Sequence, residues 1–147
     1  MSIELKQIAP YLPYGLTWFC LDQDSREYEQ LPFVSINLAN EELEIGGMDI
    51  PIDELPYPNG LTIKPILRPL SDLTKEIEVN GEKLIPIKGM FLPHGERKIL
   101  TYWANENKCW MGQQISYLIY QELFEMHFDV FGLIEQGLAI DINTLEK

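Results

Sequence analysis

Apolar side chains recur along this chain with two periods, and the switches between them mark out its elements. Ile3, Leu5, Ile8 and Leu12 fall three or four residues apart, which predicts a short helix capped by Ser2 and ended by Pro13-Tyr14-Gly15. The bulky run Leu16–Leu21 predicts a strand, the polar run Asp22–Ser25 a turn, and Arg26–Gln30 a returning strand. From Phe33 to Leu38 the period is two, with Val34, Ile36 and Leu38 on one face of a half-buried strand. Leu43 and Ile45, then Gly46-Gly47, then Met48 and Ile50 predict a two-residue hairpin pairing Ile45 with Met48 and Leu43 with Ile50. Pro51 confines the returning strand to an edge.

Beyond a turn at Pro56–Gly60, Leu61–Leu67 reads as a strand running into a helix capped by Ser71, with Asp72 in its first turn, Leu73 and Ile77 inward and Asn80-Gly81 as its stop. Lys83–Lys88 leans to a strand, Phe91–Gly95 to a loop. The longest predicted helix runs from Gln113 to His127, with Ile115, Leu118, Ile119, Leu123 and Met126 on one stripe. Asp129 is placed as the cap of a short helix through Glu135, and Leu138–Ile142 as a final strand. The expected class is α+β: a mostly antiparallel sheet, one long helix in the last third and several short helices. At 147 residues, one domain spanning 1–147 is expected.

Charge changes this picture more than composition does. The formal net charge is −12. Residues 1–62 hold 11 acids and 2 bases, residues 63–101 hold 5 and 7, and residues 102–147 hold 7 and 2. Such a balance repels phosphate backbones and anionic membrane, so no direct nucleic-acid or membrane binding is expected. Cys20 and Cys109 are too few for a disulfide framework, and Met-Ser-Ile-Glu-Leu-Lys lacks a signal-peptide pattern. A cytoplasmic location is the expectation.

Three blocks stand out together: Ala9-Pro10-Tyr11-Leu12-Pro13-Tyr14-Gly15-Leu16, Ile66-Leu67-Arg68-Pro69-Leu70-Ser71-Asp72-Leu73, and His127-Phe128-Asp129-Val130-Phe131-Gly132-Leu133-Ile134 with Leu138-Ala139-Ile140-Asp141-Ile142-Asn143. Their joint order resembles a group of small uncharacterised proteins encoded by phages and prophage-like elements of Bacteroides-type gut bacteria. The resemblance implies a mobile-element origin and supplies no activity, cofactor or catalytic residue.

Chemistry-bearing patterns are sparse. Glu125, His127 and Asp129 share a side only on a strand, and a helix there disperses them, which argues against a metal site. His127 and Asp129 remain weak polar candidates. Asp22-Gln23-Asp24 begins like a calcium loop, but the later glycine and glutamate are out of register. Ser71 lacks a nucleophile elbow, and no phosphate loop occurs. No cofactor, metal or small-molecule ligand is expected. A hydrolase-like site assembled in space around His127 or His94 is the alternative, and a structural virion component a further one.

Two binding features remain. Lys64, Arg68, Lys75, Lys83, Lys88, Arg97 and Lys98 form the basic region. Tyr102, Trp103 and Trp110 put aromatic area into a polar stretch; burial in the chain's own core is the favoured reading and an interface the alternative. The leading expectation is an accessory or regulatory protein acting through a protein partner or as a homo-oligomer, with mimicry of nucleic acid by the acidic half as a sharper variant.

Overall fold

A computed structural model describes residues 2–58, 60–90, 92–109 and 115–145. In chain order the elements are helix α1 (Leu5–Ile8) with a 3₁₀ turn (Ala9–Tyr14), then strands β1 (Thr17–Asp22), β2 (Tyr28–Asn37), β3 (Glu42–Ile45) and β4 (Met48–Pro51). They continue with β5 (Leu61–Leu67), a 3₁₀ turn (Leu70–Thr74), β6 (Ile77–Val79) and β7 (Glu82–Leu84). Helices α2 (Pro86–Gly89), α3 (His94–Glu106) and α4 (Tyr117–Glu125) follow, and β8 (Ile140–Asp141) comes last. The class is α+β with mostly antiparallel pairing. The chain divides into two compact units, residues 1–67 with 133–147, and residues 68–132.

The first unit is a six-stranded sheet in the order β4-β3-β2-β1-β5-β8. Every neighbouring pair is antiparallel except β5 with β8, where Ile66 lies opposite Ile140. The β3–β4 hairpin has the predicted register, Leu43 opposite Ile50 and Ile45 opposite Met48. Gly46 and Gly47 supply its two positive φ angles, +57° and +88°. β4 is the sheet edge, as Pro51 requires. The first helix starts later than Ser2: Glu4 precedes it and donates its backbone N–H to Gln7 Oε1 (2.9 Å).

β2 corrects the two strands expected over residues 26–38. It is one ten-residue strand whose first half pairs with β1 and whose second half pairs with β3. A bulge lies between Phe33 and Ser35, so Phe33 faces Ile45 and Ile36 faces Leu43. The extra residue inverts the alternation. Val34 is therefore 53% exposed; Leu38 keeps the parity of Ile36 but lies past the strand end and is 68% exposed. The final strand shrinks to Ile140–Asp141, and a 3₁₀ turn follows in which Asp141 Oδ1 accepts the Asn143 N–H (2.8 Å).

The second unit packs α3, α4 and the short elements around Leu73, Leu100, Trp103, Ile119, Leu123 and Phe128. Asn80-Gly81 is not a helix stop but the turn of the β6–β7 hairpin, with φ of +52° and +84°. Ser71 is no cap either. Leu70–Thr74 is 3₁₀, and the Ser71 N–H instead donates to Asn107 Oδ1 (3.0 Å). The longest described helix is α3, 13 residues, begun after Pro93 and closed by Asn107 at φ +52°. Leu100, Trp103 and Ala104 are its buried stripe, three and four residues apart.

The helix expected over 113–127 is nine residues, Tyr117–Glu125; residues 113 and 114 lie outside the described set. Ile119 and Leu123 are buried as predicted, whereas Leu118 is 70% exposed. His127, at φ +65°, ends it: Phe128 N–H returns to Leu123 O (2.9 Å), satisfying a carbonyl of the last turn. The helix expected after Asp129 is replaced by turns over residues 130–137, and Asp129 is buried. No helix among the described residues is long and apolar enough to cross a membrane.

Candidate functional site

Two of the three sequence blocks meet at Arg68. Pro69 disfavours a helical conformation for the residue before it, and Arg68 bridges in parallel to Phe128. Its backbone N–H donates to His127 O (2.7 Å), and its carbonyl accepts from the Asp129 N–H (2.8 Å). Its guanidinium donates through Nε to Met126 O (3.1 Å) and through Nη2 to Glu78 O (3.0 Å). Burial lowers the Arg68 pKa, and the neighbouring Asp72 carboxylate opposes that shift. Arg68 thus spends its donors inside the second unit, tying its first residue to β6 and to the turn after α4. Asp72 is buried beside it, with Lys75 Nζ 3.7 Å from Asp72 Oδ1.

The other predicted interaction residues scatter. Lys64, on β5 of the first unit, lies over the exposed Tyr57 ring at 5.5 Å from its centroid. Arg97 Nη1 donates to Ile87 O (2.8 Å), another internal tie. Lys83, Lys88 and Lys98 are exposed on the second unit. Trp103 is fully buried, 6.2 Å from the Tyr120 ring, so its indole is core and not presented surface. Tyr102, on the same helix, is 46% exposed. Trp110 lies outside the described residues.

The residues weighed for chemistry fall as follows. His94 is exposed at the first position of α3, and His127 occupies the left-handed cap position after α4. Asp22 Oδ1 accepts the backbone N–H groups of Asp24 (2.8 Å) and Ser25 (3.4 Å), which makes the calcium-like stretch a turn. Burial pushes the Cys109 thiol up to about 11. Cys20 is also raised, by burial and then by Glu29 and Asp22. Both hold their protons at neutral pH, the opposite of an activated nucleophile. Among the described residues no group of three or more His, Cys, Asp and Glu could hold a metal ion.

Three surface features were not legible in the sequence as sites. The outer face of the β2–β3–β4 ribbon carries Glu42, Glu44 and Asp49 with Ser35 and Asn37, and Ser35 Oγ donates to Glu44 Oε1 (3.2 Å). Glu44 stands directly opposite Asp49. A groove of about 600 Å³ in the first unit brings Glu4, Glu41, Asp53 and Glu54 together. In the second unit, a cleft of about 160 Å³ is lined by Leu84, Pro86, Met90 and Met126 with Glu122 and Glu125. Burial raises the Glu122 carboxyl, and Glu125 adds to the shift. Alternation marks the ribbon acids as one face, and the predicted hairpin register already sets Glu44 against Asp49; the sequence does not show that Ser35 and Asn37 of β2 join that face. Nothing local signals the cleft, because its walls come from segments over thirty residues apart.

No family model matches this chain, and neither a curated protein nor a solved structure matches it significantly.

Proposed function

We propose that this chain is an accessory or regulatory protein of a phage or prophage-like element, acting in the bacterial cytoplasm by binding another protein. The origin rests on the resemblance carried by the three sequence blocks. The binding reading rests on one observation, the acidic outer face of the β2–β3–β4 ribbon. Glu44 and Asp49 oppose each other across β3 and β4, and neither has an ion-pair partner among the described residues. Like charges held opposite cost stability, and a basic partner surface removes that cost while steering its own approach. Val34 and Leu38, exposed on β2 and just past its end, add apolar area beside the charge.

The test is capture from lysate of a Bacteroides-type host by the immobilised protein, with light scattering to fix its own oligomeric state. The expected result is a partner retained at low salt, released as ionic strength rises, and lost with Glu44→Lys and Asp49→Lys. A strict monomer that retains nothing, or that retains the same proteins after both charge reversals, sinks the reading.

A further inference from the structure

The cleft of about 160 Å³ in the second unit lies between the β7–α2 segment and α4. Leu84, Pro86, Met90 and Met126 make it apolar, and Glu122 and Glu125 stand three residues apart along its α4 side. Neither carboxylate has a hydrogen bond or ion pair among the described residues, although Glu122 is half-buried. We infer that this cleft receives the side chain of a lysine presented by a partner protein, its methylenes against the two methionines and its ammonium between the two carboxylates. The inference rests on the protein-binding reading above and assigns it a second contact, on the other unit.

Shape and charge both select this occupant. Lysine carries a compact ammonium on a flexible four-carbon stem, whereas arginine ends in a wide planar fork made for bidentate partners. An apolar stem ending in a cation is what an apolar wall ending in carboxylates complements. Methionine thioethers are unbranched and polarizable, and they adapt to such a stem. A neutral apolar side chain of the same length leaves both carboxylates facing an apolar group, which disfavours it. The raised Glu122 carboxyl is the sign of an anion short of compensation, which an ammonium would supply.

The experiment is an NMR titration of the full chain carrying ¹³C-methyl methionine, using N-acetyl-lysine methylamide, its norleucine and arginine counterparts, and n-butylammonium chloride. The expected result is saturable shifts at Met90 and Met126 with the lysine compound, at roughly millimolar Kd for so small a ligand. Norleucine and arginine should bind at least about fivefold more weakly, and Glu122→Gln and Glu125→Gln should each weaken lysine similarly. Glu106→Gln, on α3 outside the cleft, should leave the isotherm unchanged. Equal binding of norleucine overturns the inference, as does the absence of saturable shifts at both methyls. Binding of n-butylammonium but not of the lysine compound also overturns it, in favour of a free amine. Partner capture by the ribbon is read on the first unit. Its failure therefore leaves the lysine isotherm standing, and a missing isotherm leaves capture standing.

Discussion

A methyl group on Gly46 would meet Leu31 at 2.9 Å from both Cδ atoms and 3.0 Å from Cβ, at a backbone φ of +57°. Terminal methyls can rotate away, but Leu31 Cβ moves only with the β2 backbone. Strain from the left-handed conformation adds to the overlap. Gly46→Ala is therefore expected to lower stability by about 2 kcal/mol in urea denaturation, and a change under about 0.5 kcal/mol would refute the account. Its neighbour Gly47 has open space around its Cα and is constrained by φ alone. Arg68 shows a second residue-scale lesson. The sequence makes it a candidate docking cation at the centre of the basic region, with scattered solvated charge as the other reading. Its donors instead end on the carbonyls of Met126 and Glu78, and no local pattern reveals where a guanidinium terminates. His127, weighed as a possible ligand or catalytic group, has a backbone role as the left-handed residue closing α4.

The β3–β4 ribbon is where an element's own chemistry is most exposed to test. Its inner face carries Leu43, Ile45 and Ile50, all buried, and its outer face Glu44 and Asp49, neither in an ion pair among the described residues. Replacing Asp49 by Lys turns a repulsive cross-strand pair into an attractive one. The expected gain is about 0.5 kcal/mol, read as a shift of the denaturation midpoint with unchanged slope. The same variant is expected to lose partner capture, so stability rising while binding falls separates a lost surface from a damaged fold. Destabilisation by Asp49→Lys would mean the carboxylate makes a contact the register does not predict. The hairpin itself was fully legible, because a two-residue glycine loop fixes which residues stand opposite. The bulge in β2 was not: an extra residue leaves no mark on the apolar pattern, and Val34, Ile36 and Leu38 alternate cleanly although only Ile36 turns inward with Phe33. α3 escaped for another reason. Pro93 and Gly95 read as breakers, yet Pro93 sits just before the helix, where no intrahelical donor is lost.

Across the whole molecule, charge follows the division into units. The unit of residues 1–67 with 133–147 holds 14 acids and 4 bases, whereas residues 68–132 hold 9 and 7. Self-repulsion is thus concentrated in the sheet. Raising NaCl from about 20 to 500 mM is expected to raise the melting temperature by about 3 °C, whereas a fall would show that attractive pairs dominate. No sequence-only account could foresee that Lys64 and Arg68, four residues apart, belong to different units, or that residues 133–145 return to the sheet's unit while residues 68–132 form the other. The amino-acid order alone determined the α+β class, the first strand to within a residue at each end (16–21 against 17–22), the strand over 61–67, the glycine hairpin with its register and the acidic balance, because each depends on neighbours a few residues away. Tertiary structure alone decided the β2 bulge, the use of Asn80-Gly81 as a hairpin turn, the inward commitment of Arg68 and Trp103, and the cleft at Glu122. Each of those depends on which distant segment supplies the opposing atoms, and packing selects that segment from many the local pattern permits.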